Sequence, residues 1–406
     1  MATLARRLPH AVLLTLALAA LPALAEKKYD SGASDTEIRV GNLVPYTGPF
    51  AEYGAIGRAE AAYFRMVNDH GGINGRKVVY VSLDSGAKLE TPVELAQRLV
   101  QQERVLLFVS TWGAPVNRLI RPFLNQQGIP QLFVAANDAE FDDPAHYPWT
   151  MGFAPSKRTE AAQYARYLLA SRPDARIAVL SSDDAEGAEY RAGLREGLGS
   201  RAEAMIIKEG AFRYSDPSGI DPLVAGFKAA GADVFMNMAV GRFATHGIRA
   251  AYDQGWRPLQ FVPNASLSIA AFLDPAGLEK AAGLICNARS KSWGIGQAGR
   301  DPGVRAFLAW MKKYLPAGNE RDAQNVFGYE VAQTLEAVLK RCGDDLTRAN
   351  VMAQATHLDL QLDMLRPGIR IRTSPADYRP IKDLYLVRFQ GQDWVSLEAT
   401  PGAKAR

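Results

Sequence analysis

The residues able to do covalent or metal chemistry are few and poorly spaced for it. Beyond residue 25 the histidines are His70, His146, His246 and His357, none at metal-ligand spacing. The two cysteines, Cys286 and Cys342, have no second Cys or His nearby, so they imply no zinc site. The chain contains neither a G-x-S-x-G nucleophile elbow nor a P-loop. Asp183, Asp184, Glu186 and Glu189 could suggest calcium, but the other ligands of an EF-hand loop are missing, and a solvated loop is the plainer reading. Gly294-Ile295-Gly296-Gln297-Ala298-Gly299 has the letters of a dinucleotide fingerprint. It does not directly follow a strand, and Asp301-Pro302-Gly303 interrupts the helix that should carry the pyrophosphate. The expectation is therefore no cofactor, no metal and no enzyme.

The chemistry that remains is recognition, and it is concentrated in loops. Residues 38–84 read as strand, loop, helix, turn, strand. Pro45 and Gly48-Pro49 hold the loop at 46–54 open, and Ile56, Ala59, Tyr63 and Met66/Val67 give the helix one apolar face. Gly71-Gly72-Ile73-Asn74-Gly75 stops that helix, because Gly and Asn accept the positive φ that ends one. Such a unit is a right-handed parallel crossover, and sheets built from it bind ligands beyond the carboxyl ends of their strands. The same edge should carry Thr111-Trp112-Gly113-Ala114-Pro115 after a strand at 105–110, and Ala135-Ala136-Asn137-Asp138 after one at 132–134. The pattern restarts beyond 147–153, with strands expected at 177–180, 204–208, 233–238, 259–262 and 283–288. Helices are expected between them at 159–171, 190–198, 220–230 and 243–254. The strand ends of this half lie near 183–186, 239–242 and 263–266. Helices at 304–314 and 323–340 follow, then a hairpin of 382–389 and 394–397 around Gln390-Gly391-Gln392-Asp393. Strands alternating with helices throughout define an α/β fold with doubly wound sheets.

Arg6 and Arg7, the apolar run 11–21 and Ala23-Leu24-Ala25 spell a cleavable signal peptide over 1–25. The apolar run is well short of the ~20 residues that span a bilayer, which argues against a retained anchor. Export to the periplasm permits a disulfide between Cys286 and Cys342, although two buried thiols are the simpler reading. Losing Arg6 and Arg7 takes the formal charge from +4 to +2, which does not suit a nucleic-acid binder. The remaining ~380 residues suggest about two domains.

The loop at 46–54 with Gly48-Pro49 and Tyr53-Gly54, the Gly71-Gly72-Ile73-Asn74-Gly75-Arg76 turn and the strand after it resemble the branched-chain-amino-acid-type periplasmic binding proteins of ABC importers. The resemblance covers nearly all of the chain beyond residue 25. The ending, with Thr373-Ser374-Pro375 and Asp377-Tyr378, resembles a branch associated with other small organic acids. It implies a type I binding-protein fold: two doubly wound α/β lobes joined by a three-crossing hinge, with ligand in the cleft. Lobe 1 would comprise 36–149 and 290–363, lobe 2 would comprise 152–285 and 372–398, and the crossings would lie near 150–153, 286–291 and 364–372. The implied partners are a small-molecule ligand and a membrane permease, served by a monomer with no role for nucleic acid.

Carried over residue by residue, the first-lobe contacts fall on Tyr53, on Thr111, Trp112 and Gly113, and on Ala135, Ala136 and Asn137. Tyr53 and Trp112 could sandwich a flat body while backbone N–H groups and the Asn137 amide hold a carboxylate. Core packing for Trp112 and a helix-entry staple for Tyr53 are the plainer alternatives. The second lobe departs from the amino-acid pattern. Glu186 replaces the aromatic expected before Gly187, Val240 replaces a polar or aromatic contact, and Asn264, Ala265 and Ser266 stand where an acid should hold the ligand's ammonium. Arg242 could pair with an acid group instead, or be an ordinary solvated arginine. The resemblance thus favours delivery of a small organic acid, aromatic acids included. A branched-chain amino acid or amide binder, or a ligand-sensing regulator of the same fold, is the alternative; an exported hydrolase lacks its nucleophile or metal set.

Overall fold

The computed structural model describes residues 27–87, 89–291 and 300–397. The signal-peptide reading over 1–25 and the Gly294–Gly299 motif both lie outside these residues.

The first sheet begins with β1 (Glu37–Val44), which leads through a 3-10 turn into α1 (Gly54–Asp69) and back to β2 (Lys77–Asp84). The two strands pair in parallel from Glu37↔Lys77 to Val44↔Asp84. The face of α1 expected to be apolar is buried, with Ile56, Ala59, Tyr63 and Val67 in the core. Asn74 has φ 50° and Gly75 φ 81°, so the turn after α1 uses the left-handed conformations its residues tolerate. The pattern continues through α2 (Pro92–Gln101), β3 (Leu107–Val109), α3 (Ala114–Gln126) and β4 (Gln131–Leu132). Strand order is β2-β1-β3-β4, all parallel. β3 and β4 are shorter than their apolar runs suggest, because Ser110 (φ 51°) and Phe133 (φ 55°) leave the extended region. Both strands bend at these points, and Trp112 and Ala135 then meet in an isolated parallel bridge.

The second sheet takes α4 (Lys157–Ser171), β5 (Ile177–Ser182), α5 (Ala185–Leu198), β6 (Ile206–Phe212), α6 (Ile220–Ala229), β7 (Val234–Asn237), α7 (Arg242–Asp253), β8 (Leu259–Phe261) and β9 (Ile285–Ala288). β10 (Tyr385–Phe389) lies antiparallel to β9 and forms a hairpin with β11 (Trp394–Ser396). The order is β11-β10-β9-β8-β7-β5-β6. β6 starts at Ile206 rather than near 204 because Ala202–Met205 close one helical turn first.

After β9 the chain returns to the first sheet as α8 (Pro302–Tyr314) and α9 (Ala323–Cys342). α9 packs on α1 closely enough that a Cβ at Gly328 would lie 2.6 Å from the Ile56 carbonyl oxygen, so only glycine fits this crossing. Passages between the sheets are tied by the bridges Gln131↔Thr150 and Ser290↔Leu365, and by Ile381 N–H donating to the Phe153 carbonyl at 3.2 Å. Cys286 and Cys342 are both buried free thiols.

Both sheets reverse their order of winding at one place. In the first the reversal falls between β1 and β3, and in the second between β5 and β7. Loops leaving those strand ends diverge, and the crevice between them is where an open α/β sheet receives a ligand.

Candidate functional site

The carboxyl edges of the two sheets face each other across a cavity of about 430 Å³, within the ~300–1,000 Å³ range of small-molecule sites. Its first wall is built on β1 and β2. Asp84, at the end of β2, accepts from Tyr46 N–H at 2.8 Å, from the Thr47 hydroxyl at 2.7 Å and from Gly86 N–H at 2.8 Å. Burial opposes charge on Asp84, but these donors outweigh it and hold its carboxyl below the ordinary value. The loop so tethered carries Phe50 and Tyr53 into the cavity. Tyr53 is 2% exposed, packs with its ring 4.6 Å from that of Trp112 at a tilt of 33°, and donates its hydroxyl to the Ala265 carbonyl at 3.0 Å.

The second wall comes from β3 and β4. Trp112 N–H donates to the Leu43 carbonyl at 2.8 Å, and Gly113 (φ 88°) opens α3. Gly113, Ala135, Ala136 and Asn137 line the cavity beside Trp112. Thr111 is fully buried and does not line it: its hydroxyl donates to Asn117 and accepts from Gln131 Nε2 at 3.3 Å. Thr111 therefore sets the loop rather than facing the space.

From the second sheet, Glu186 lies in the first turn of α5, which Asp184 caps by accepting from Gly187 N–H. Glu186 receives the Tyr214 hydroxyl at 3.0 Å and the buried Lys157 ammonium at 3.1 Å. Lys157 also reaches Asp138 at 2.5 Å. Burial disfavours the Lys157 charge, yet Glu186 and Asp138 together raise its pKa above the ordinary lysine value. Val240 lines the cavity from the turn before α7. Its neighbour Gly241 (φ 64°) lies so close to Tyr53 that a Cβ would sit 3.3 Å from the ring. Arg242 stands outside, at the rim, with its guanidinium donating to the Gly48 carbonyl at 3.0 Å and 3.5 Å from Glu52.

On the floor of the cavity the sequence pointed to Asn264 but not to Arg289. Arg289, directly after β9, is 5% exposed and lines the cavity with Asn264, Ser290, Gln324 and Phe327. Its Nη1 donates to Asn264 Oδ1 at 3.0 Å, its Nε lies 3.3 Å from Glu330, and its guanidinium sits 4.9 Å from the Phe327 ring centroid. Burial pushes the Glu330 carboxyl up, opposed by Arg289. Asn264 N–H donates at 2.5 Å to Glu160, whose carboxyl burial pushes up to about 7. The available signal was position: Arg289 follows a strand's carboxyl end, the edge at which ligands bind. Phe50, Lys157 and Tyr214 also line the cavity and were not read from the sequence.

An aromatic and aliphatic wall (Phe50, Tyr53, Trp112, Phe327, Val240, Leu267) facing a few converging polar groups can grip a small amphipathic molecule. Among the described residues no group of three or more His, Cys, Asp and Glu is placed to hold a metal ion.

Comparison with known proteins gives the same picture. The family model described as "Periplasmic binding protein" matches residues 37–393, and the chain belongs to that family. A Leu/Ile/Val-binding protein homolog 1 of Brucella abortus is 25% identical over 319 residues, which cover 77% of this chain and 81% of the relative. A branched-chain amino acid ABC transporter protein of Thermus thermophilus with bound valine superposes with a TM-score of 0.76 at 16% identity, covering 89% of this chain and 95% of that one. A solute-binding protein of an ABC transporter from Rhodopseudomonas palustris HaA2, in complex with p-hydroxybenzoic acid, gives 0.74 at 17%, covering 88% and 95%. The fold is therefore that of the type I periplasmic binding proteins, two α/β lobes around a cleft.

Proposed function

We propose that this protein captures a small organic acid, aromatic acids included, and delivers it to the membrane permease of an ABC importer. In this reading residues 1–25 direct export to the periplasm and are removed, and the protein works as a monomer. The observation that carries the ligand class is the charge arrangement of the cavity. Arg289 is buried against its floor with only two of five N–H donors accounted for by Asn264 and Glu330. The lining carboxylate Glu186 is already matched by Lys157 and Tyr214. A ligand carboxylate gains a charge-assisted partner here, whereas an ammonium would compete with Lys157 for Glu186. Tyr53, Trp112, Gly113, Ala135, Ala136, Asn137, Val240 and Asn264 would enclose the body of the ligand, with Thr111 supporting and Arg242 at the rim.

The names of the Brucella and Thermus proteins favour a second reading, a branched-chain amino acid, in which Glu186 turns from Lys157 to the ligand ammonium. Thermal-shift and calorimetric titration separate the two. Stabilisation by 4-hydroxybenzoate or aliphatic carboxylates, with leucine and valine inert, is the expected result, because a ligand that binds only the folded state raises its stability. Stabilisation by leucine or valine alone would reject the acid reading.

A further inference from the structure

The second lobe has another concavity, at the end of its sheet remote from the cleft. It lies at the amino-terminal ends of β8 and β9, where Leu259 and Leu284 border it, and has a volume of about 330 Å³. Tyr252, Trp256, Arg257, Gln260, Lys280 and Arg388 supply its chemistry, and no carboxylate lines it. Lys280 is matched by Asp253 at 2.6 Å. Arg257 is held in place by backbone and ring: its Nη1 donates to the Tyr252 and Trp256 carbonyls at 2.7 and 3.2 Å, and its guanidinium lies 3.5 Å from the Tyr252 ring centroid. Among the described residues neither Arg257 nor Arg388 has an ion-pair partner.

Two buried donors in this pocket are also unmatched. Arg388 Nε and Gln260 Nε2 are shielded from solvent and have no hydrogen-bond acceptor. Gln260 is 7% exposed on a central strand between Leu259 and Phe261. A buried donor without a partner costs roughly 1–3 kcal/mol. Two arginines without a direct ion pair, two orphaned donors and the lack of any lining carboxylate all fit one kind of occupant, a compact dianion with several acceptor oxygens.

We propose that this pocket is a second binding site, distinct from the ligand cleft, for a phosphate-type oxyanion. Arg388 and Gln260 supply its inner donors, and Arg257 and Lys280 supply charge at its mouth. The group could arrive as free phosphate or as the headgroup of an anionic phospholipid. Calorimetric titration of the full chain with sodium phosphate, against sodium chloride at matched ionic strength, should give a saturable one-site isotherm. Arg388→Gln and Gln260→Leu should each weaken it tenfold or more, while Arg289→Gln in the cleft leaves it unchanged. Lys280→Ala, which removes a side chain about one-fifth exposed at the mouth, should weaken binding severalfold and serves if the inner variants fail to fold. Co-sedimentation with phosphatidylglycerol vesicles that Arg388→Gln or Lys280→Ala reduces, with free phosphate silent, would assign the phosphate to lipid. Binding of neither probe, phosphate binding undiminished in all three pocket variants, or its loss in Arg289→Gln, would overturn the proposal.

Discussion

Arg289 and Glu186 set the polarity of the cleft, and each is tied into a different network. Arg289 rests on Glu330 and Asn264, and Glu186 rests on Lys157 and Tyr214. Arg289→Gln keeps a donor toward Asn264 but removes the charge. A hydrogen bond to a charged group contributes about 1.5–3 kcal/mol, so affinity for an acid ligand should fall about tenfold to a hundredfold in calorimetry. Unchanged affinity would place the acid group elsewhere in the cavity. At this scale the sequence was informative where a residue type and a strand end coincide, as for Tyr53, Trp112 and Gly113, which line the cavity. Thr111 shows the limit: its hydroxyl is taken by Asn117 and Gln131, partners that only the fold brings within reach.

Among the elements, α1 and the first sheet enclose an acid that periodicity alone would not place there. Glu60 is fully buried, accepts from the Tyr80 hydroxyl at 2.5 Å, and lies 3.5 Å from Asn42 Nδ2. Burial pushes its carboxyl up to about 8 from 4.5, although the Tyr80 hydrogen bond opposes the shift. A raised acid binds its proton more tightly in the folded than in the unfolded state. Stability from this group is therefore fully present below about 4.5, declines between 4.5 and 8, and is lost above about 8. Glu60→Gln cannot ionise, so it should melt like the wild type near pH 4.5 and higher than it at pH 9. Parallel melting curves across that range would show that Glu60 does not titrate as described. Helices and strands were legible from apolar spacing, but the early ends of β3 and β4 were not. Ser110 and Phe133 take a positive φ that neither residue type announces in the sequence.

For the whole molecule, contacts across the cavity hold the two sheets together, the buried Lys157–Asp138 pair among them. Tyr53 donates to Ala265 at 3.0 Å, Ser268 to Asp322 at 2.8 Å and Arg242 to Gly48 at 3.0 Å, while Phe50 packs 5.3 Å from Tyr214. In a two-lobed binding protein such contacts bias an open–closed equilibrium that ligand shifts further. Arg242 is solvent-exposed, so Arg242→Ala should change stability by no more than ~0.5 kcal/mol. It should nevertheless raise the ligand-free radius of gyration in solution scattering and weaken ligand binding about two- to fivefold, because apparent affinity scales with the closed population. Identical scattering and affinity would remove Arg242 from closure.

The sequence by itself determined the alternation of strands and helices, the loops at the strand ends and the family that the chain resembles. Each of these follows from local chemistry: apolar period, Gly and Pro at turns, and the direction of parallel crossovers. Tertiary structure alone decided which charges face the ligand space. Lys157 reaches Glu186, Arg289 reaches Glu330, and Arg242 is left at the rim because residues distant in sequence are packed together. Inside a low-dielectric cleft the sign of recognition depends on which buried charge keeps its partner, and pairing is a property of the folded arrangement.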